Sequence, residues 1–299
     1  MVGPTDRSAE FIGAAKLTNI SSLSNGLEFD VFRGLSPKYG DVVLRIPKHK
    51  IFQNVNDPNS SARDLIKQEM AIYTLLAHTP IPVPRPREFL EVDDYPAMLS
   101  DYMPDDGTQA SDTDKGRMLA LLHTYIPVPH NWQHSLVAME GAEIFTTLTH
   151  RMVRRFEQLA KEVPLSESWI PPRSVLERVA ETLRQRSVSP SLLHMDFRDA
   201  NFRTTEKIIT TVLDWTNALI GPPAVEICRI MELVDPGPGF LDGYSSLARV
   251  PHLEHEEETF LRLDARLMLT LVYISEAPDE KSRVVSLKRL EELARALQE

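Results

Sequence analysis

Cysteine is nearly missing from this 299-residue chain: Cys228 stands alone, so no intramolecular disulfide can staple the fold. Long apolar runs are missing as well. The longest, LMLTLVYI at 267–274, is far too short to span a bilayer, and the opening MVGPTDRSAE has no apolar signal region. Basic residues are in deficit, 33 Lys and Arg against 43 Asp and Glu, for a formal net charge of −10. That balance argues against a nucleic-acid or anionic-membrane partner and leaves a cationic small molecule compatible. The sequence shows no internal repeat and no low-complexity tract. Together these gaps lead to the expectation of a cytoplasmic protein with neither nucleic acid nor membrane as partner. The rest is ordinary for a globular chain, 42% hydrophobic and 25% charged, with length enough for one large domain or two lobes.

The order of patterns along the chain suggests the two lobes. ISSLSNGLEFDVFRG carries an Asn25-Gly26 turn between two strand-like pieces, a hairpin signal, and DVVLRIP reads as a third strand ended by Pro47. In SARDLIKQEMAIYTLLAH, Leu65, Glu69, Met70, Tyr73 and Leu76 recur at helical spacing. A Pro-rich extended segment leads into another strand, and YPAMLSDYMPDDG reads as strand and then turn. The first hundred residues thus read as strands with one helix. After Gly107 the period becomes helical, in DKGRMLALLHTYI, GAEIFTTLTHRMVRRFEQLAKEV and PRSVLERVAETLRQR. Short strand-like pieces follow around 192–214, then helices near 223–233, 255–275 and 281–297. The expected division is an N-terminal lobe over 1–102 and a helical lobe over 103–299, joined near Asp101–Gly107.

Polarity concentrates in LLHMDFRDANF at 192–202, where His194, Asp196 and Asn201 fall in the spacing His-x-Asp-x-x-x-x-Asn. FRTTEKIITTVLDW then reads as a strand, a turn at Thr205-Glu206-Lys207, and a second strand that delivers Asp214. Such a hairpin brings Asn201 close to Asp214. Mg²⁺ prefers hard oxygen ligands and takes few from protein when phosphates supply the rest. An amide and a carboxylate suit it beside a polyanionic nucleotide, while Asp196 can accept a proton from an attacking hydroxyl. This is the layout used for phosphoryl transfer.

LLHMDFRDANF and IITTVLDWTNALIGPPAVEI resemble the catalytic core of the aminoglycoside phosphotransferase/choline kinase-like family, whose pattern runs H-G-D-x-x-x-x-N, then I-D-W and G-D-P. The thirteen-residue step from Asn201 to Asp214 matches the corresponding step in protein kinases, and the likeness extends over most of the chain. It implies an α+β, bilobal protein kinase-like fold, with a small β-rich lobe binding nucleotide and a larger helical lobe holding the catalytic loop and substrate cleft. The implied activity is transfer of the γ-phosphoryl of ATP or GTP to a hydroxyl of an aminoglycoside-like antibiotic or small metabolite, with Mg²⁺ as cofactor. Asp196 would be the base, and Asn201 and Asp214 the metal ligands. Arg45, in VVLR, takes the place of the phosphate-pairing lysine, with Glu69 to orient it; an arginine there still offers a permanent cation and a fork for phosphate oxygens. Ser24, Asn25 and Gly26 fall at the nucleotide-covering hairpin, which lacks a full glycine-rich signature. Ser100 and Tyr102 bound the hinge whose backbone would hold the base, and LALLHTYIPVP matches a leucine-histidine helix end. Met195 replaces the usual catalytic-loop glycine. Pro222 replaces the aspartate of G-D-P, while Glu226 keeps an acid where the family has one.

Other readings stay open. The Arg45 and Met195 departures fit a nucleotide-binding pseudokinase that acts as a scaffold. A zinc hydrolase would need more His or Cys ligands than His194 supplies. His194 itself suits a scaffold role, hydrogen-bonding the loop backbone. The acids of HLEHEEETFLRLD, with Asp235 and Asp242, suit either a cationic acceptor or a solvated helix face.

Overall fold

Alternation in GDVVLRIP decides how the N-terminal sheet is built. Val42, Leu44 and Ile46 are buried on one face, as the two-residue period of a strand requires, which sends Arg45 to the other. The computed structural model describes residues 6–125, 128–132, 135–164, 169–186 and 188–299. The chain divides into two units, one made of residues up to Gln53, Asn59–Ser111 and Arg198–Thr216, the other of Asn54–Pro58, Asp112–Phe197 and Asn217–Glu299.

The first unit opens with α1 (Asp6–Ala14) and runs through β1 (Thr18–Asn25), β2 (Phe29–Ser36), β3 (Gly40–Pro47), β4 (Ile51–Gln53), β5 (Pro58–Ser61), α2 (Ala62–Leu76), β6 (Pro86–Val92) and β7 (Tyr95–Asp101). Its main sheet has the order β1-β2-β3-β7-β6, every neighbour antiparallel. Phe11 of α1 packs with Leu17, Phe32, Val42, Leu44, Ile46, Ala97 and Leu99 into one cluster. Helix α2 starts where Ser61 accepts the Asp64 N–H, and it buries Leu65, Ile66, Gln68, Glu69, Ile72, Tyr73 and Leu76. A polar Gln68-Glu69 pair inside that stripe is the local anomaly that marks a site.

The second unit carries α3 (Asp112–Tyr125), α4 (Ile144–Glu162), α5 (Arg173–Arg184) and β8 (Ser191–Leu193). The chain then forms β9 (Phe202–Thr205) and β10 (Ile208–Val212), a hairpin counted with the first unit. It returns to the second with β11 (Leu219–Gly221), which pairs with β8, followed by α6 (Pro223–Leu233), α7 (Gly239–Ser245), α8 (His255–Leu271), a π-helical turn at Val272–Glu276, and α9 (Glu280–Ala296). Among the described residues no helix is long and apolar enough to cross a membrane.

Two α-helices and the short β4–β5 pair escape the periodicity reading. The N-terminal region holds two helices, not one: DRSAEFIGA is only nine residues and depends on burying Phe11. Helix α7 is seven residues, two of them glycine, which lowers its intrinsic propensity. Its glycines serve packing. A Cβ on Gly116 of α3 would lie 1.9 Å from the Phe240 carbonyl oxygen, and one on Gly243 would lie 2.1 Å from that of Thr113. The two helices meet backbone to backbone, so relief requires moving a helix. Gly116→Ala should lower unfolding free energy by about 1–3 kcal/mol, read as a lower urea midpoint at unchanged slope. A midpoint equal to wild type would show that the helices part without cost.

Candidate active site

In the β-rich unit, β3 presents Arg45 on the face opposite its apolar residues, and α2 presents Glu69 from its buried stripe. The two meet in an ion pair, and a second Arg45 nitrogen bonds Asp214 Oδ1 at 3.0 Å. The guanidinium also lies 4.0 Å from the Phe29 ring centroid, a cation–π contact. Burial works against its charge, yet Asp214 and Glu69 outweigh that and hold its pKa above the usual arginine range. Glu69 is only 1% exposed and its other oxygen accepts the Tyr73 hydroxyl at 2.8 Å. Burial, then the neighbouring Glu69 charge, push the Tyr73 pKa well up, so that phenol remains a donor.

The hairpin delivers Asp214 as its sequence suggests. Phe202 pairs with Val212 and Thr205 with Ile208. Glu206 and Lys207 have φ of 53° and 66°, the signature of a two-residue type I′ turn. The Leu213 N–H donates to the Asn201 carbonyl at 2.8 Å, which sets Asn201 against the residue preceding Asp214. Asp214 turns out of the strand at φ 62°, and its Oδ1 also accepts the Thr216 hydroxyl at 2.7 Å. Trp215 is fully buried, and its carbonyl accepts from Gln68 at 3.0 Å, so the residue after Asp214 is fastened to α2. Asn201 is buried too. A carboxylate and an amide are hard-oxygen donors of the type Mg²⁺ prefers, and Asp214 and Asn201 are the residues that would hold such an ion.

Asp105 and Asp106, which the sequence marks only as part of a turn, hold the other end of this hairpin. Asp105 accepts from the Thr204 N–H and hydroxyl, both at 3.2 Å, and Asp106 accepts the Glu206 N–H at 2.7 Å. The remaining nucleotide-side candidates sit in the same unit. Ser24 and Asn25 end β1, opposite Val31 and Asp30, and Gly26 N–H bonds the Phe29 carbonyl at 3.1 Å. Ser100 is buried within β7, opposite Val43 and Pro86. The Tyr102 N–H donates to the Asp41 carbonyl at 3.1 Å, while Arg33 covers the Tyr102 ring at 3.8 Å.

In the helical unit, Asp196 follows β8 on a loop built around Glu226 of α6. The Glu226 carboxylate accepts the His194 N–H at 3.0 Å, the Met195 N–H at 2.6 Å and His123 Nε2 at 3.0 Å. His123 Nδ1 in turn meets the Tyr244 hydroxyl at 3.0 Å. Met195 adopts φ 65°, the left-handed region where glycine is at ease, which accounts physically for the glycine of the family pattern. His194 is fully buried and its Nδ1 accepts the Asp196 N–H at 3.2 Å, a scaffold geometry. Asp196 is half-buried; Arg198 and Asp199 are exposed. His123 and Tyr244 are the support residues that sequence reasoning missed, although the leucine-histidine helix end held the former. The acids of α8 are spoken for: Glu256 pairs with Arg178, Glu257 with Arg186 and Glu258 with Arg262, while Glu254 and Glu257 form the capping box of the helix.

A sheet cation held by a helix glutamate, with a His-x-Asp loop anchored on a buried acid, defines a kinase-like phosphotransferase. Comparisons agree. The model of the phosphotransferase enzyme family matches residues 19–260. Among solved structures, APH(2'')-IIa in a ternary complex with streptomycin and ATP is similar at 17% identity and TM-score 0.62, with 99% of each chain covered. A macrolide 2'-phosphotransferase from Brachybacterium faecium is similar at 17% identity and TM-score 0.57, covering 96% of this chain and 98% of that one. A thermostable mutant of APH(4)-Ia, in complex with AMP-PNP and hygromycin B, is similar at 13% identity and TM-score 0.61, covering 98% and 99%. No curated protein matches the sequence. The chain belongs to the phosphotransferase enzyme family, and it is a phosphotransferase with an alcohol group as acceptor.

The Glu226 anchor has a pH signature. Burial alone would raise its pKa, but the hydrogen bond and charge of His123, together with His194 and the Met195 amide, keep it below the usual carboxylate range. A depressed folded pKa contributes stability that is present above the unfolded value, about 4.3, and lost as pH falls through the folded one. Urea unfolding from pH 7 down to about pH 3 should therefore show a shallower acid loss for Glu226→Gln than for wild type. An equally steep loss in both would exclude Glu226 as a contributor.

Proposed function

We propose that the protein is a small-molecule kinase, transferring the γ-phosphoryl of ATP or GTP to a hydroxyl of an aminoglycoside-like antibiotic or small metabolite. The observation that supports this best is the Arg45–Glu69–Asp214 constellation, with Asn201 brought beside Asp214 by the Leu213 hydrogen bond. Residues 1–102 serve as the nucleotide lobe, and residues 103–299 as the lobe with catalytic loop and substrate cleft. Arg45, oriented by Glu69, directs its fork at phosphate oxygens. The hairpin at Ser24, Asn25 and Gly26 covers the phosphates, and the backbone between Ser100 and Tyr102 borders the base. Asn201 and Asp214 hold Mg²⁺, which when bound neutralises charge on the phosphates.

Asp196, five residues before Asn201 along the chain, accepts the proton of the acceptor hydroxyl at its carboxylate and orients that oxygen for attack. The Glu226 bonds to the His194 and Met195 amides fix the backbone on which Asp196 rides, so positioning costs nothing further during transfer. Because α8 commits Glu256, Glu257 and Glu258 to arginines, those acids give no support to a cationic acceptor. The relatives' antibiotics are the first acceptors to try, in a panel with hydroxylated metabolites followed by acceptor-dependent ADP or GDP release.

Asp196→Ala should cut transfer by at least about a hundredfold while nucleotide affinity stays near wild type. Turnover near wild type would remove Asp196 from the role of base. One observation favours a scaffold instead: Arg45 already bonds the Asp214 carboxylate that the metal would need. Titrating nucleotide with and without Mg²⁺ separates the two, since tightening by the ion marks the kinase and indifference to it marks the scaffold.

A further inference from the structure

Helix α4 of the helical unit carries Arg151, Arg154 and Arg155, spaced so that all three side chains share one face. They converge on a single carboxylate. Arg151 Nη2 lies 3.1 Å from Asp57 Oδ1, Arg154 Nη2 4.0 Å from the same oxygen, and Arg155 Nη2 3.7 Å from Oδ2. Arg155 also pairs with Asp264 at 3.0 Å, and Arg154 with Glu140 at 3.1 Å. Glu140 Oε1 stands 3.7 Å from Arg151 Nε, too far for a hydrogen bond. Arg151 Nη2 donates to the Ala138 carbonyl at 2.7 Å, and Glu276 is engaged by Asn56. Arg229 adds a fourth positive charge close enough to act on both Asp57 and Arg155.

The pattern of use within each guanidinium is the telling point. The ion pairs of all three arginines with Asp57 run through Nη2, and the neighbouring Nε–H of each is buried without a hydrogen-bond partner among the described residues. The Nε–Nη2 edge is one of the two guanidinium edges that grip two oxygens of an oxyanion at once. A carboxylate has two oxygens and cannot serve three such edges; a tetrahedral oxyanion has up to four. Buried orphan donors are costly and rare, and three on neighbouring side chains call for a ligand. Arg155 is 2% exposed and Arg151 7%, so this is a built site and no fringe of surface cations. Burial, and to a smaller extent the charges of Arg151 and Arg229, keep the Arg155 pKa below the usual arginine range although Asp264 and Asp57 oppose them.

We propose that Arg151, Arg154 and Arg155 form a binding cradle for a phosphate-class oxyanion, free or as a phosphomonoester, and that Asp57 on segment 54–58 is its built-in competitor. The proposal is independent of the kinase reading, since it uses none of the residues given a role there. Binding of the oxyanion displaces the Asp57 carboxylate and loosens the segment, including the Asn56 N–H that donates to Glu276 at 3.1 Å. The test titrates inorganic phosphate, and in a second arm glycerol phosphate, into the full-length protein by calorimetry at constant ionic strength, with chloride as the control ion. Asp57→Asn should bind at least one of the two about tenfold more tightly than wild type, because the internal competitor is gone. Adding Arg154→Gln, a partly exposed position, should abolish that gain. Hydrogen exchange on the wild type supplies a readout that needs no variant: phosphate or its ester should speed exchange over 54–58. Equal affinities for Asp57→Asn and wild type in both arms, tight binding that survives Arg154→Gln, or a response that chloride reproduces would each overturn the proposal.

Discussion

One half-buried guanidinium organises the polar residues of the β-rich unit. Moving a charge from water into a protein costs several kcal/mol even after relaxation, and only close, well-directed partners return it. Arg45 has two carboxylates and an aromatic face, and each comes from a different part of the chain. Strand alternation sets the side of the sheet on which Arg45 emerges. The 3.6-residue period of α2 places Glu69 within its buried stripe, and the register of the β9–β10 hairpin fixes where Asp214 ends. An error in any of the three would leave a charge without its partner, and the cost is steepest at the buried Glu69. The fold of this unit and the layout of its polar residues are therefore one constraint.

A parallel arrangement with opposite sign governs the loop that carries Asp196. Glu226 is fully buried, and its carboxylate is satisfied by two backbone amides and a histidine. Those amides point together only because Met195 takes a left-handed conformation, which costs an L-residue about 1–2 kcal/mol. The charge-assisted bond to its N–H and the burial of its side chain both offset that cost, the former by about 1.5–3 kcal/mol. A methionine can thus stand where the family pattern has glycine, provided the acid of α6 remains. Pro222, just before α6, leaves the start of that helix intact, with Pro223 at its first position.

Legibility followed the range of the interaction. Strand β3, helix α2, the 202–212 hairpin and the long helices of the second unit were readable because each carries its own period. So was the Asn201–Asp214 approach, since a tight turn translates sequence distance into register. Helix α1 and helix α7 were not, being too short for a period and dependent on Phe11 and on the Gly116 and Gly243 contacts. His123 and Tyr244 carry no local signal for the same reason: their meaning lies in a partner 103 or 121 residues away along the chain. The positive φ of Met195 had only an indirect signal, a glycine expected and not found.

Net charge was the least transferable of the sequence-level observations. A surplus of acids suggested a welcome for cations, but a carboxylate that already faces an arginine offers little field to a ligand. Glu256, Glu257 and Glu258 are all so placed, and Glu232 alone holds Arg262, Arg266 and Arg289. At α4 three arginines share Asp57, and Asp264 and Glu140 take one further ion pair each with Arg155 and Arg154. What a region attracts depends on which charges remain after the internal pairs are drawn, and screening at physiological salt confines that remainder to about 8 Å. Pairing, which only the fold decides, therefore outranks composition as a guide to what this protein binds.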